Sequence, residues 1–252
     1  MNDIKELYSL AVQTAKAAGD RLNGITKRTV NCDAGNDVKL QEDIESEKFI
    51  RNLLAVSNIP VVGEELEKDT SPMENDGYYW VVDPIDGTFN FLRGYPVVCV
   101  SIALMKGNAP KVGVIYDFTR NELFSAYDGS CLYLNGKPLT PNWAKDQKQA
   151  VLMTGFPSLT VYDEPTMRAF VARVKKFKKV RMCGSAAISM AYVASGRVDA
   201  YVEKRINLWD IAAGLMLVKS AGGAYKMESA NLPEKPLCVN INAASCEEFF
   251  SE

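Results

Sequence analysis

The feature that most constrains the fold of this chain is an apolar stretch that ends abruptly in acidic residues. Residues 79–82 (Tyr-Trp-Val-Val) have the pattern of a buried β-strand, and they lead into residues 83–88 (Asp-Pro-Ile-Asp-Gly-Thr). The proline disfavours helical backbone at Asp83 and keeps that residue extended. Gly87 allows a tight turn, after which Thr88 begins a helix. The sequence thus predicts a strand, a loop and a helix that present two carboxylates three residues apart.

This loop carries the groups that a metal ion and a phosphate require. Two neighbouring carboxylates at the end of an apolar strand repel each other, and a bound cation removes that repulsion. The backbone carbonyl of Ile85 adds an oxygen ligand, and the free N–H groups at the start of the helix suit an anion. The spacing of the two acids excludes the Asp-x-Asp-x-Thr pattern of haloacid-dehalogenase-type phosphatases. No G-x-x-x-x-G-K-[ST] motif occurs, so the chain is not a P-loop protein.

The composition narrows the chemistry further, because the 252 residues include no histidine. This absence excludes Ser-His-Asp and Cys-His catalysis, histidine-ligated zinc and phosphohistidine chemistry. Oxygen ligands remain, and they favour hard cations such as Mg²⁺, Mn²⁺ or Ca²⁺. The six cysteines form no C-x-x-C pair, and no arginine stands six residues after any of them. Thioredoxin-type and cysteine-dependent phosphatase chemistry are therefore excluded as well.

Charge and hydropathy favour a soluble, cytoplasmic protein. The 29 basic and 31 acidic residues give a net charge of −2, so we expect no nucleic-acid binding and no attachment to a membrane surface. The chain opens without a signal sequence, and its longest mainly apolar run, residues 97–105, is far too short to span a membrane. We expect reduced cysteines. Six basic residues between 173 and 181 indicate a solvated helix end, with a docking site for an anionic partner as the alternative.

Periodicity divides the chain into two halves that meet near residue 140. In the first, helices are predicted at residues 4–22 and 43–56, strands at 61–62 and 78–82, and a loop at 67–77. A β-meander follows, with strands at 97–105, 112–116, 123–127 and 131–134. In the second half, strands at 151–154, 180–182, 198–203 and 236–239 alternate with helices at 164–177, 185–195 and 210–221. We therefore predict an N-terminal α+β half, residues 1–140, and a C-terminal α/β half, residues 141–252.

Three further acidic segments stand where helices begin or strands end. They are Asp43, the Glu64-Glu65 pair and Asp210. Taken alone, Asp43 and Asp210 are typical helix caps, and Gly-Glu-Glu is a common loop. Their significance depends on whether the fold brings them to the loop at residues 83–88.

Considered together, these segments resemble the inositol monophosphatase family, within the wider group of lithium-sensitive, Mg²⁺-dependent sugar and nucleotide phosphatases. The matching segments are residues 63–65, 80–88, 90–91, 184–187, 199–201, 209–213 and 222–223. They cover most of the chain in the family's order, and the Asp-Pro-Ile-Asp-Gly-Thr and Trp-Asp segments are highly specific. The resemblance implies an α/β (α+β) fold, a layered α/β/α/β/α sandwich of the inositol monophosphatase and fructose-1,6-bisphosphatase type.

The resemblance also implies a role for each residue of the site. The implied Mg²⁺ ligands are Glu64, Asp83, the Ile85 carbonyl, Asp86 and Asp210. The implied catalytic residues are Glu64 and Thr88, which orient and deprotonate the attacking water, and Asp43, an acid beside the metals or a ligand of a third one. The implied substrate-binding residues are Gly87 and Thr88 at the phosphate, Gly184, Ser185 and Ala186 in a lining turn, Glu203 at a substrate hydroxyl, and Asp210. From its position alone, Thr88 is alternatively a plain helix N-cap.

By the same resemblance, we expect a Mg²⁺-dependent phosphoric monoester hydrolase acting on a small phosphorylated polyol or sugar, foremost inositol monophosphate. Members of the family bind two or three Mg²⁺ ions, which Mn²⁺ can replace. They are inhibited by Li⁺ and form homodimers, so the resemblance implies the same for this chain. The alternatives are fructose-1,6-bisphosphatase or 3′-phosphoadenosine 5′-phosphate phosphatase activity and, in another class, a partner-binding regulatory protein like some bacterial relatives that dock on the transcription machinery. Three departures bear on the substrate and a third metal: Asn207 in place of histidine, Phe89 in place of threonine, and no lysine at residues 32–35.

Overall fold

The computed structural model describes residues 3–34, 37–66, 71–74 and 76–250 of the chain. Within these residues the helices are α1 (Ile4–Asn23), α2 (Gln41–Leu54), α3 (Ser71–Glu74), α4 (Thr88–Arg93), α5 (Glu164–Val174), α6 (Ala186–Ala194) and α7 (Leu208–Ser220). The strands of the first half are β1 (Val30–Ala34), β2 (Asp37–Leu40), β3 (Val61–Gly63), β4 (Tyr78–Asp86), β5 (Cys99–Lys106), β6 (Ala109–Asp117), β7 (Glu122–Tyr127), β8 (Tyr133–Leu134) and β9 (Lys137–Pro138). Those of the second half are β10 (Val151–Thr154), β11 (Lys179–Arg181), β12 (Ala200–Asn207), β13 (Ala224–Ser229) and β14 (Cys238–Ala244).

Helices and sheets stack in alternating layers. α1 and α2 pack on one face of a seven-stranded sheet with the order β3-β4-β5-β6-β7-β8-β9. α6 and α7 lie between this sheet and a five-stranded sheet with the order β11-β10-β12-β14-β13. The C-terminal end of α5 packs on the outer face of the second sheet. This arrangement confirms the predicted α/β/α/β/α sandwich.

Strand direction decides which loops emerge side by side. β3 and β4 are parallel and pair Gly63 with Val82, so the residues that follow the two strands leave the sheet together. β4 to β9 form an antiparallel meander. In the second sheet β10 is parallel to β11 and β12, whereas β14 is antiparallel to β12 and β13. β1 and β2 pair separately as an antiparallel hairpin.

The central helices are apolar on all sides, as their position between two sheets requires. Ten of the 13 residues of α7 and eight of the nine residues of α6 are buried. Two glycines let α7 approach its neighbours closely. A Cβ at Gly113 on β6 would overlap the Ala213 carbonyl, and a Cβ at Gly214 would overlap Met190 on α6. The two halves of the chain therefore share one core.

The structure departs from the predicted elements in several places. Neither the β1–β2 hairpin nor β13 was expected, because their residues are largely exposed or half-buried and lack a clear apolar alternation. Residues 71–74 form a helical turn inside the predicted loop, while residues 67–70 and 75 of that loop, like Gly35, lie outside the described residues. The last strand is Cys238–Ala244 rather than 236–239, because it pairs with β12 along that length.

The described helices and the cysteines bear on membrane insertion and on disulfide formation. No helix among the described residues is long and apolar enough to cross a membrane. The cysteines are free thiols, two of them exposed, two buried and two in between. Cys99, one of the buried pair, lies in β5 beside the acidic loop.

One buried carboxylate holds the connection between the two sheets, which runs from β9 to β10. Asp199 accepts hydrogen bonds from the backbone N–H groups of Ala144, at 2.6 Å, and Val151, at 2.7 Å. Asp199 is buried, so little water is available to replace it as an acceptor. The position of β10 relative to β12 thus depends on this side chain.

We expect Asp199→Ala to lower the free energy of unfolding by about 2–4 kcal/mol, because two N–H groups lose their acceptor. Asp163→Ala is the control, since Asp163 accepts a hydrogen bond from the Thr166 N–H at the exposed start of α5. Loss of such a cap costs about 1 kcal/mol. Urea denaturation measures both variants, and equal small losses would show that Asp199 does not hold the connection.

Candidate active site

Three carboxylates from three elements meet in one small volume. Glu64 follows β3, Asp83 lies in β4 and Asp210 lies in the first turn of α7. Each offers an oxygen atom that lies within 4.8 Å of the other two. Glu64 and Asp83 meet because β3 and β4 are parallel neighbours, and α7 brings Asp210 from the second half of the chain. The structure therefore brings together three of the five residues that the resemblance identified as Mg²⁺ ligands.

The loop that carries Asp83 is shaped by an irregularity in the sheet. The register between β4 and β5 shifts between Asp83 and Asp86. The Ile85 N–H donates to Asp83 Oδ1 at 3.0 Å, which closes the loop onto the acid. Gly87 then adopts a φ of +91°, a conformation that favours glycine, and serves as the N-cap of α4. The predicted turn at Gly87 and the helix from Thr88 are confirmed, whereas the strand, predicted to end at residue 82, continues through Asp86 because Asp86 still pairs with Cys99 of β5.

Asp210 and Asp43 occupy equivalent positions at two helix starts. Asp210 accepts a hydrogen bond from the Asn207 N–H at 3.0 Å, and Asp43 accepts one from the Leu40 N–H at 2.8 Å. The N-cap positions belong to Asn207 and Leu40, so each acid is instead the third residue of its helix and holds the N–H of the N-cap residue. This hydrogen bond uses Oδ2 of each carboxylate and leaves Oδ1 for other contacts.

Burial and mutual repulsion raise the pKa of all three clustered acids. Burial is the largest cause for Glu64, Asp83 and Asp210, and neighbouring carboxylates add to it. Burial also raises the pKa of the adjacent Asp43 to about 7. Lys39 opposes this effect at Glu64 and Asp43. Buried, mutually repelling carboxylate oxygens fit a hard divalent cation such as Mg²⁺, which stabilises their ionised forms.

The hydroxyl of Thr88 contacts Asp43 rather than forming a cap. Thr88 is the first residue of α4, and the N-cap position belongs to Gly87, so the alternative that made Thr88 a plain N-cap is wrong. Its Oγ1 lies 3.4 Å from Asp43 Oδ1 and 3.1 Å from the Ile85 carbonyl oxygen. The predicted water-activating pair joined Thr88 to Glu64. The structure adds Asp43 as the acidic partner of the hydroxyl.

Asp86 faces the start of α6. Its carboxylate accepts hydrogen bonds from the Ser185 hydroxyl, from the Ala187 N–H at 2.7 Å and from the Ala186 N–H at 3.2 Å. The Cys99 thiol lies 3.6 Å from the same carboxylate. Burial raises the pKa of Asp86, and these hydrogen bonds oppose the rise. Asp86 therefore links residues 83–88 to the turn predicted to line the substrate.

That turn lies directly against α4. Asn90 Nδ2 donates to the Val97 carbonyl at 2.9 Å and to the Cys183 carbonyl at 2.8 Å. Gly184 has a φ of +74° and adjoins Gly87, since a Cβ on Gly87 would lie 3.3 Å from the Gly184 carbonyl oxygen. Two predicted substrate-binding segments, far apart in sequence, are thus neighbours.

Glu203 is held at the wall of a cavity. Its Oε2 accepts a hydrogen bond from the buried Tyr201 hydroxyl at 2.7 Å, and a Cβ on Gly155 would lie 2.8 Å from the same oxygen. Burial raises the pKa of Glu203 to about 7. The adjoining cavity has a volume of about 260 Å³. Glu203 is thus available to substrate on the side away from Tyr201.

Two residues that hold the end of β3, Glu47 and Lys39, are not predicted by the sequence analysis. The fully buried Glu47 accepts a hydrogen bond from the Glu65 N–H at 2.7 Å, and its carboxylate fills the space where a side chain at Gly63 would lie. Lys39 Nζ lies 3.1 and 2.9 Å from the two Glu65 oxygens and pairs with that acid. Glu47 stands four residues after Asp43, and this helical spacing is the signal that could have found it.

We expect Mg²⁺ to stabilise the protein more at pH 8 than at pH 5. Burial raises the pKa of Asp43 to about 7 and raises the pKa values of Glu64, Asp83 and Asp210 as well, so above about pH 4 the folded chain binds more protons than the unfolded one. The stability that Asp43 contributes to the metal-free protein is therefore lost as pH rises through about 7. Mg²⁺ binds the ionised carboxylates and offsets this loss, by about 2.7 kcal/mol at 100 times its Kd. Thermal unfolding in EDTA and in Mg²⁺ measures the effect.

Two variants control this measurement. Asp210→Asn should lose most of the Mg²⁺-dependent rise in Tm, whereas Asp128→Asn should keep it, because Asp128 pairs with Lys111 and Lys219 at the surface. A Tm that does not change on addition of Mg²⁺ at either pH would contradict a metal site at the cluster.

Comparisons with known proteins show the family of this chain. Residues 3–241 match the model of the inositol monophosphatase family. "Nus factor SuhB" of Xylella fastidiosa is 37% identical over 226 residues, covering 87% of this chain and 81% of that protein. "Inositol monophosphatase 1" of Solanum lycopersicum is 37% identical over 232 residues, covering 87% and 84%. The crystal structure of the extragenic suppressor protein suhB from Bartonella henselae superposes with a TM-score of 0.82 at 31% identity, covering 95% and 94%. The chain therefore belongs to the inositol monophosphatase family.

Proposed function

We propose that this chain is a Mg²⁺-dependent phosphomonoesterase that hydrolyses a small phosphorylated polyol or sugar, foremost inositol monophosphate, by two-metal water activation. The observation that carries the proposal is the convergence of Glu64, Asp83 and Asp210 within 4.8 Å of one another. The Gly87–Thr88 turn beside them supplies backbone N–H groups for the phosphate. The tomato relative is named for inositol monophosphatase activity.

The proposed metal ligands have two kinds of support: the geometry of the structure for three of them, and the family resemblance for the other two. Glu64, Asp83 and Asp210 would hold Mg²⁺, and the Ile85 carbonyl and Asp86 are the further ligands that the resemblance implies. When bound, the metal offsets the charge of the phosphate and makes water easier to ionise. No histidine or cysteine nucleophile is needed, because water is the attacking group.

The chain's own groups orient the water and take up its proton. The Thr88 hydroxyl donates its single proton to Asp43 or to the Ile85 carbonyl, so its lone pairs stay free to accept a hydrogen bond from water. Asp43, once ionised, is the acceptor at the end of this path. The water oxygen forms a bond to phosphorus, the ester P–O bond breaks, and the alcohol leaves with a proton. Glu203 would bind a hydroxyl of that alcohol.

Phosphate release from three substrates tests the proposal. Inositol 1-monophosphate, fructose 1,6-bisphosphate and 3′-phosphoadenosine 5′-phosphate are compared with Mg²⁺ and with EDTA. We expect Mg²⁺-dependent release from inositol 1-monophosphate, none in EDTA, and inhibition by millimolar Li⁺. A preference for one of the two other compounds would replace inositol monophosphate as the proposed substrate. Full activity in EDTA would refute the metal mechanism.

We expect Thr88→Ala to lower kcat on the order of 100-fold while Mg²⁺ activation stays near normal, because the path from water to Asp43 is broken. Thr88→Ser is the matched control, since serine keeps the hydroxyl. Asp43→Asn should resemble Thr88→Ala, because an amide accepts no proton. Steady-state kinetics across a Mg²⁺ titration measures these effects. A Thr88→Ala enzyme that turns over at the wild-type rate would remove Thr88 from the mechanism.

Partner binding is a second candidate function, favoured by the name Nus factor carried by the Xylella relative. The exposed basic residues that follow α5, among them Lys175, Lys178 and Lys179, are one surface for an anionic partner. The Asp83→Asn variant, which lacks a proposed metal ligand, is used as bait in a pull-down of proteins of the transcription machinery. This experiment separates the two roles. Retained partners with lost phosphatase activity would show an independent binding role. A homodimer and a cytoplasmic location remain predictions of the resemblance.

A further inference from the structure

We propose that the ammonium group of Lys39 is a permanent cation of the candidate active site and takes the place of a further Mg²⁺ ion beside Asp43 and Glu65. This inference rests on the proposed phosphatase function, and it concerns how many metal ions the site holds. Three observations carry it: the direction of Lys39 on its strand, its contact with a nearly buried carboxylate, and its influence on two acids of the site. With this charge in place, the site binds two Mg²⁺ ions rather than three.

The alternation of side chains along β2 directs Lys39 away from the apolar core. Val38 and Leu40, on either side of it, pack against the core that α1 and α2 share with the seven-stranded sheet. Lys39 therefore leaves β2 on the opposite face, where its Nζ reaches Glu65 after the end of β3. The Leu40 N–H also donates to Asp43 at 2.8 Å, so the end of β2 contacts acids from two different elements.

The contact between Lys39 and Glu65 resembles the binding of a cation by a carboxylate. Lys39 Nζ lies 2.9 and 3.1 Å from the two carboxylate oxygens, so one positive charge serves both of them. Only 4% of the Glu65 side chain is exposed, whereas 37% of the Lys39 side chain is. A carboxylate with so little access to water requires a cation or a proton close by. Lys39 supplies that cation whatever the Mg²⁺ concentration.

The charge of Lys39 also acts on two acids of the candidate site. Burial is the largest cause that raises the pKa of Glu64 and of Asp43, and the charge of Glu65 raises both further. Lys39 opposes the rise at each of the two acids. Because such interactions weaken with distance, the ammonium group lies within electrostatic range of both carboxylates. It therefore offsets negative charge in the site as well as that of Glu65.

The arrangement of the acids agrees with a division between metal ions and the ammonium group. Glu64, Asp83 and Asp210 place oxygen atoms within 4.8 Å of one another, as a metal ion requires. Within the parts of the chain that the structure describes, Asp43 and Glu65 belong to no such group of three ligands. Mg²⁺ demands near-octahedral oxygen ligands, whereas an ammonium group is a compact point charge that one carboxylate can hold. The side of the site at Asp43 and Glu65 thus suits Lys39 better than a further Mg²⁺ ion.

Counting the bound metal ions tests the inference. Free Mn²⁺ gives an electron paramagnetic resonance signal that protein-bound Mn²⁺ loses, so a titration of metal-free protein gives the number of ions bound per chain. We expect two ions for the wild type and three for Lys39→Met, because the Glu65 carboxylate, left without its cation, recruits another ion. Lys39→Arg keeps the charge and should bind two. Lys39→Met combined with Glu65→Gln removes both charges and should also bind two.

Lys16→Met is the matched control, because Lys16 pairs with Asp20 on the exposed side of α1, and it should bind two ions. Lys39→Gln replaces Lys39→Met if circular dichroism shows that the latter does not fold, since an amide can donate to Glu65 without carrying a charge. Two ions in every Lys39 variant, or three in the wild type, overturn the inference and leave the phosphatase proposal intact. Wild-type protein that binds no Mn²⁺ contradicts the phosphatase proposal and the inference with it.

Discussion

Mutual repulsion among buried carboxylates is the constraint on which the rest of this structure depends. Oxygens of Glu64, Asp83 and Asp210 lie within 4.8 Å of one another, and burial raises the pKa of each acid. At neutral pH such a group is stable only with bound protons or a bound cation. The free energy of the fold is therefore tied to pH and to any cation that these carboxylates bind.

Backbone N–H groups at helix starts hold the acids of this region in place. Asp210 accepts from the N-cap residue of α7, Asp43 from the N-cap residue of α2, and Asp86 from the first turn of α6. Each hydrogen bond favours the ionised carboxylate and partly offsets the cost of burial. The hydrogen bonds at the starts of these helices therefore also hold the acids of the candidate site in place. A residue that looks like an ordinary cap in the sequence is also part of the candidate active site.

The sequence predicts the local backbone conformation that proline, glycine and apolar runs determine. It does not predict which side chains meet across the fold. The strand, turn and helix of residues 79–88 follow from local backbone preferences, and the layered fold follows from the family resemblance. By contrast, Thr88 meets Asp43 from 45 positions away, and Asp86 meets Ala187 from 101 positions away. These pairs exist only once the sheets have stacked, so no periodicity encodes them. β13 was missed for the same reason, because its pairing with β14 rather than its own pattern makes it a strand.

Calorimetric titration of metal-free protein with Mg²⁺ at pH 7, repeated in two buffers with different heats of ionisation, tests the central claim most directly. If Mg²⁺ binds the buried carboxylates, it displaces protons held by their raised pKa values, so the observed heat must change with the buffer. We predict saturable binding with net proton release, and loss of both in Asp210→Asn. Binding without proton release, or no binding, would contradict the proposal that Mg²⁺ binds these carboxylates and displaces protons from them.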